Sequence, residues 1–223
     1  MKRRAVFLDR DGTLVYPRHY PSRPQELRLY EHLGPGLRQL RKAGFHLVVI
    51  TNQAGIARGY FTEDDLRLMH EYLSGELARL GVQLDAIYHC PHHPDGVIPE
   101  LAFRCECRKP APGMLLAAAA DLDIDLARSW LVGDILDDVE AGKRAGCRSI
   151  LVDLGTESLP TQPLRSPDFV ARNTVHALRI IRAVEQLGPG ADLSYRPRAW
   201  EDVPASDASV LAVPGKKRDG GRI

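Results

Sequence analysis

Short apolar runs alternate along this chain with stretches whose apolar residues recur at helical spacing. Val6, Phe7 and Leu8 form a continuous apolar run of the kind a strand buried on both faces carries, which predicts a strand over residues 4–9. Comparable runs predict strands over 45–50, 84–89, 130–132 and 149–152. Between them, Leu66, Met69, Leu73, Leu77 and Leu80 fall on one helical face, so a helix is expected over 63–80 with Met69 in the core. Thr62 reads as its N-cap, acids fill its first turn, and Gly81 stops it. A helix over 35–43 has Pro35 near its start and Gly44 at its end. Further helices are expected over 112–122 and 139–145, and from a cap at Thr174 to about 187. Residues 90–109 read as an irregular loop. Strands alternating with amphipathic helices imply an α/β domain over 1–187, a three-layer Rossmann-like fold with a mostly parallel sheet. No inserted segment is large enough to form a separate cap domain. From Gly188 onward the composition shifts to Pro, Gly, Ser, Asp and Lys without periodicity, so residues 188–223 are expected to be a flexible tail.

Composition narrows the setting without naming a chemistry. The 223 residues suffice for one substantial core, and 44% hydrophobic with 26% charged residues is ordinary for a globular chain. A net charge of +1 gives no case for nucleic acid or an anionic membrane as partner. The basic run Lys216-Lys217-Arg218 near the end reads as solvated tail. No apolar stretch approaches the roughly 20 residues that span a bilayer, and the first apolar run ends in candidate chemistry rather than a cleavage site. A monomer in the cytoplasm is expected. Three of the four cysteines lie in one short loop, a spacing that in a reducing compartment favours metal over disulfides. Cys147 stands apart and reads as a small buried residue.

The candidate chemistry sits at strand ends, where ligands of open α/β sheets bind. Asp9-Arg10-Asp11-Gly12-Thr13 puts two carboxylates where the first strand stops and Gly12 lets the chain turn. Close carboxylates repel unless a cation or proton separates them, which points to a metal such as Mg²⁺. An ordinary Asp-x-Asp-Gly turn reads the fragment equally well when it is taken alone. Three more segments follow in order: Thr51-Asn52-Gln53 after a second apolar run, Arg108-Lys109-Pro110 before a helix, and Gly133-Asp134 with Asp137 and Asp138 after a third run. Separately, Cys90-x-His92 and, after a spacer of twelve residues, Cys105-x-Cys107 offer one imidazole and three thiolates. That set suits tetrahedral Zn²⁺ and leaves no open position, so the zinc is expected to be structural; His93 is an alternative fourth ligand.

In this order, the four strand-end segments resemble the motifs of the haloacid dehalogenase superfamily of phosphotransfer enzymes. The zinc loop, together with Gly55-Ile56-Ala57-Arg58-Gly59 and Pro112-Gly113-Met114-Leu115-Leu116, resembles the D-glycero-D-manno-heptose 1,7-bisphosphate 7-phosphatase family. The match runs from about residue 4 to about 155 and more weakly to 187. The resemblance implies that Asp9 is a nucleophile forming an aspartyl-phosphate and that Asp11 protonates the leaving alkoxide, then deprotonates water. It implies Mg²⁺ held by Asp9, Asp134 and the backbone carbonyl of Asp11, with Thr51 and Lys109 meeting the phosphoryl charge. Asp138 would orient Lys109 or a metal-bound water, and Asp137 would cap the helix starting at Val139. The family pattern selects His92 over His93. A second anionic end of a small phosphorylated sugar would meet Arg108 first and Arg58 next. Asn52 either binds substrate or closes its turn. Departures from the family are Ile135 where lysine is common, Ala54 where serine is frequent, and the segment 16–24. They bear on the sugar rather than on phosphatase chemistry. Rival expectations are a histidinol-phosphatase, a phosphomutase, which would need a cap, and a non-catalytic zinc-stabilised binding module.

Overall fold

In the computed structural model, residues 2–187 and 192–197 are described. β1 (Arg4–Leu8) lies near the middle of a six-stranded sheet, between β2 (Phe45–Asn52) and β4 (Trp130–Gly133). β3 (Ala86–Cys90) forms one edge, and β5 (Arg148–Val152) leads to the other, β6 (Phe169–Ala171), giving the order β3-β2-β1-β4-β5-β6. Every strand pairing in this sheet is parallel. Successive side chains of a strand point to opposite faces, and β1 follows that rule. Val6 and Leu8 pack with Leu37 and Leu40 of α1 (Leu33–Lys42), Leu66 and Met69 of α2 (Glu63–Arg79), and Ile181 of α5 (Thr174–Val184). On the other face, Ala5 and Phe7 pack with Met114 and Ala118 of α3 (Gly113–Asp121) and Ala141 of α4 (Leu136–Ala145). The result is the expected three layers, and all the strand ends that carry chemistry face one edge.

Several local expectations are corrected. β6 was not anticipated, because three residues at a sheet edge make too short a run to stand out. α4 starts at Leu136, three residues before the expected Val139, so Asp137 lies inside its first turn and pairs outward with Arg165 at 2.9 Å. The capping contact falls to Asp138, whose Oδ2 accepts from the backbone N–H of Ile135 at 3.3 Å. Asn173 rather than Thr174 caps α5, accepting from the His176 N–H at 2.8 Å. Thr174 instead donates its hydroxyl to the Thr13 carbonyl at 2.6 Å, tying the last helix to the turn after β1. Leu80, placed on the core stripe of α2, is exposed because that helix ends at Arg79. Residues 192–197 lie along the body: the Tyr195 hydroxyl donates to Asp153 at 2.6 Å, and Tyr195 packs against the cluster of Leu136, Val139, Leu151 and Val170. The rest of the segment expected to be a tail lies outside the described residues. No helix among the described residues is long and apolar enough to cross a membrane.

Candidate active site

β1 and β4 run side by side, so their first residues beyond the sheet, Asp9 and Asp134, converge, and Asp138 joins them from the first turn of α4. One carboxylate oxygen from each lies within 4.8 Å of the others, and all three residues are buried. Two glycines make room for this. Gly12 sits at φ +79°, and a Cβ on it would lie 2.2 Å from an Asp134 oxygen. A Cβ on Gly133 would meet the Asp138 carboxylate at 2.3 Å.

Lys109 reaches the same point from the opposite side. Its buried ammonium lies 2.6 Å from Asp9 Oδ1, 2.5 Å from Asp138 Oδ1 and 3.1 Å from the Ile50 carbonyl. Burial works against its charge, yet Asp138 and Asp9 outweigh that and raise its pKa. Burial, reinforced by the charges of Asp138 and Asp11, pushes Asp9 up to about 7 despite Lys109. Asp134 is raised further, by burial first and then by Asp9 and Asp138. Three carboxylates with one ammonium leave uncompensated negative charge, and a dication suits that deficit.

Thr51, the last residue but one of β2, is buried. Asn52, a candidate for substrate, uses both halves of its amide on one backbone: it accepts from the Lys109 N–H at 3.0 Å and donates to the Lys109 carbonyl at 3.1 Å. These two bonds tie the end of β2 to the chain that carries the lysine. Two residues that sequence reasoning did not single out complete the floor. The Arg10 side chain is fully buried and donates from Nε and Nη2 to Asp11 Oδ2 at 3.0 and 2.7 Å. Gln53 accepts from Arg10 at 2.9 Å and donates to Asp11 Oδ2 at 3.1 Å and to the Thr51 hydroxyl at 2.7 Å. Asp11 is thus held by Arg10 and Gln53 and is not one of the three clustered carboxylates. The only available signals were the arginine between two acids and the amide two places after the threonine.

Beyond Asp11 opens a cleft of about 350 Å³ lined by Arg10, Arg18, His19, Asn52, Gln53 and Arg108 among others. Arg108 thus borders it, with its backbone N–H directed at Cys105 Sγ. Arg58 does not. The tight turns after Gln53 carry its guanidinium to His93, 3.3 Å away, behind the loop.

That loop is gathered by Cys90, His92, Cys105 and Cys107. Their ligand atoms lie within 4.8 Å of one another, His92 contributing Nδ1, and His93 faces Arg58 instead. The sulfur–sulfur separations run from 3.2 to 3.5 Å. A tetrahedron with Zn–S bonds of about 2.3 Å has edges of roughly 3.8 Å, so the donor set and its compactness fit zinc. Cys147 lies apart, and burial alone pushes its thiol up to about 12, which keeps it protonated.

A family model described as HAD-hydrolase-like matches residues 106–177. The chain is 47% identical over 180 residues to the D-glycero-beta-D-manno-heptose-1,7-bisphosphate 7-phosphatase of Yersinia pestis, covering 80% of this chain and 95% of the relative. It is 42% identical over 163 residues to a D-glycero-alpha-D-manno-heptose-1,7-bisphosphate 7-phosphatase of Photorhabdus laumondii, covering 72% and 89%. The crystal structure of the D,D-heptose 1,7-bisphosphate phosphatase of B. bronchiseptica, complexed with magnesium and phosphate, superposes with a TM-score of 0.68 at 31% identity, covering 82% of this chain and 99% of that one. Fold and site together define a phosphomonoesterase of the HAD-like class. Within it, the chain belongs to the heptose-1,7-bisphosphate 7-phosphatase family.

Proposed function

We propose that this protein removes the C7 phosphate of D-glycero-D-manno-heptose 1,7-bisphosphate in a Mg²⁺-dependent reaction, leaving the 1-phosphate for nucleotide activation. The observation that carries the reading is the buried convergence of Asp9, Asp134 and Lys109, with Asp11, two residues after Asp9, lining a cleft that Arg108 also borders. Asp9, Asp134 and the backbone carbonyl of Asp11 would hold Mg²⁺. Bound there, it would offset charge on the phosphoryl oxygens and on Asp9. A carboxylate oxygen of Asp9 attacks phosphorus, and the bond to the sugar oxygen breaks. That oxygen takes the proton of Asp11. Water then gives a proton back to Asp11 and attacks the phosphoaspartate. Its P–O bond to Asp9 breaks, and inorganic phosphate leaves. Lys109 and the Thr51 hydroxyl offset the negative charge that gathers on the phosphoryl oxygens, and Asp138 keeps Lys109 aimed.

Arg108 is the group proposed for the second phosphate, since a guanidinium binds phosphate bidentately. Cys90, His92, Cys105 and Cys107 would bind Zn²⁺ with no position left for chemistry, as a brace for Arg108 and Lys109. Such a thiolate site needs a reducing compartment, and a monomer in the cytoplasm is the setting we propose.

Phosphate release from both anomers of the heptose bisphosphate, histidinol phosphate and simple sugar phosphates tests the reading. The heptose bisphosphates should rank first, and a higher kcat/KM for histidinol phosphate would sink the substrate assignment. Asp9→Asn should abolish turnover with fold and zinc content intact. Uncatalysed phosphate-monoester hydrolysis is slow enough, with enzymic accelerations up to about 10²¹-fold, that no background route would mask the loss. Near-normal turnover in a folded Asp9→Asn protein would exclude the covalent route.

A further inference from the structure

We propose that Arg10 and Gln53 are positioning residues that load one oxygen of Asp11 and thereby reserve the other for the leaving group's proton. The inference rests on the acid–base role proposed for Asp11 and adds how that role is set. Asp11 Oδ2 accepts three hydrogen bonds, two from Arg10 and one from Gln53, while its Oδ1 is shielded from solvent and has no protein partner. A carboxylate held this way has one oxygen loaded and leaves Oδ1 as the oxygen without a protein partner, which bound substrate must uncover. Oδ1 is the atom that gives its proton to the sugar oxygen as the P–O bond breaks and later takes a proton from the attacking water.

Gln53 fixes a second group by the same means. Its Oε1 faces the Arg10 guanidinium, so its two amide hydrogens must point to Asp11 Oδ2 and Thr51 Oγ1. Reversing the amide would set N–H against N–H, so the network itself assigns the orientation. With its oxygen already accepting from Gln53, the Thr51 hydroxyl is free to donate to a phosphoryl oxygen. One buried cation and one amide thus orient two groups that touch the substrate.

A structural role alone explains this arrangement poorly. A buried ion pair is weak evidence for stability, since desolvation consumes much of its attraction. Arg10 is fully buried, and its Nη1 has no hydrogen-bond partner. Packing would be served as well by an apolar side chain. The guanidinium makes sense as a fixed fork whose geometry sets the neighbouring carboxylate.

The test separates orientation from folding through the leaving group. An alkyl phosphate needs its leaving oxygen protonated, whereas para-nitrophenolate leaves without help. Values of kcat/KM report the steps through P–O cleavage, so they are compared for the heptose bisphosphate and para-nitrophenyl phosphate in Gln53→Met, Arg10→Met and Arg10→Lys, with Asp11→Asn as reference. General acid catalysis contributes about 10²- to 10⁴-fold, and partial misorientation should cost roughly tenfold or more of it on the sugar phosphate, with a much smaller loss on the aryl ester. Arg10→Lys keeps the charge without the fork and should lose most of the same preference. Equal losses on both substrates in folded variants would overturn the proposal, leaving Arg10 and Gln53 as structural residues. If Arg10→Met fails to fold, Gln53→Met and Arg10→Lys give the same reading. If Asp11→Asn itself shows no leaving-group preference, the inference falls, while the phosphatase reading stands or falls separately on Asp9→Asn.

Discussion

Gly12 is where backbone geometry meets the proposed metal site. Its positive φ is a conformation that costs an L-residue about 1–2 kcal/mol, and any side chain there would press into Asp134. Gly12→Ala should therefore displace Asp134, weaken Mg²⁺ binding at least about tenfold and lower stability by on the order of 2 kcal/mol. A magnesium titration of activity beside a thermal melt checks this, and an unchanged magnesium requirement would show that Asp134 tolerates the shift. At this scale the sequence was informative wherever a residue type is needed in a fixed order. Asp9, Asp134 and Lys109 each stand at the end or start of a recognisable element, so their convergence was legible. Roles that depend on side-chain direction were not. Asn52 and Arg58 carry suitable groups at suitable positions, yet Asn52 also binds the Lys109 backbone and Arg58 turns to His93. Burial of Arg10 was hidden for the same reason, since an arginine between two acids reads as solvated.

Among the described elements, the loop between β3 and α3 has little regular structure to hold it. Its only regular piece is a single 3-10 turn at Pro99–Leu101, and the cysteine–histidine cluster closes it from both ends. Cys105→Ser replaces a soft thiolate with a poor zinc ligand, so zinc content should fall and the loop should loosen. Arg108 and Lys109 follow Cys107 directly, and a misplacement of about 1 Å can cost roughly 10²-fold in rate. Kinetics, metal content and circular dichroism on this variant should show lost activity with the sheet preserved. Full activity in verified zinc-free protein would show that the loop does not position the cations. Helices and long strands were readable because apolar periodicity encodes them. Their ends were less so: the start of α4 and the cap of α5 shifted because Asp138 and Asn173, not their neighbours, met the free backbone N–H groups.

For the molecule as a whole, acid stability carries a clear sign. His70, on the buried side of α2, has its pKa lowered to about 3 by burial, then by Arg10 and His89. The fold holds it neutral, whereas the unfolded chain takes up its proton near the ordinary value of about 6.5. Its contribution is therefore intact above pH ~6.5 and is lost as pH falls toward 3, with a slope approaching about 1.4 kcal/mol per pH unit. Denaturant midpoints of the native protein and His70→Gln from pH 7 to 4 should converge or cross as the native protein loses its advantage. Parallel profiles would show that His70 is protonated in the fold.

The strand order also governs how the molecule must be made. β1 comes first among the described strands but is a central one in the sheet, flanked by β2 early and by β4 only after about 120 further residues have been made. At roughly 5–20 residues per second, the edge of β1 that β4 will cover stays unpaired for on the order of 10 s. Until β4 is made Asp9 lacks Asp134 beside it, so the nascent chain holds the proposed nucleophile without its complete site. Any chain arrested before Gly133 would present an apolar, half-paired strand, making it a client for chaperones and incapable of hydrolysis.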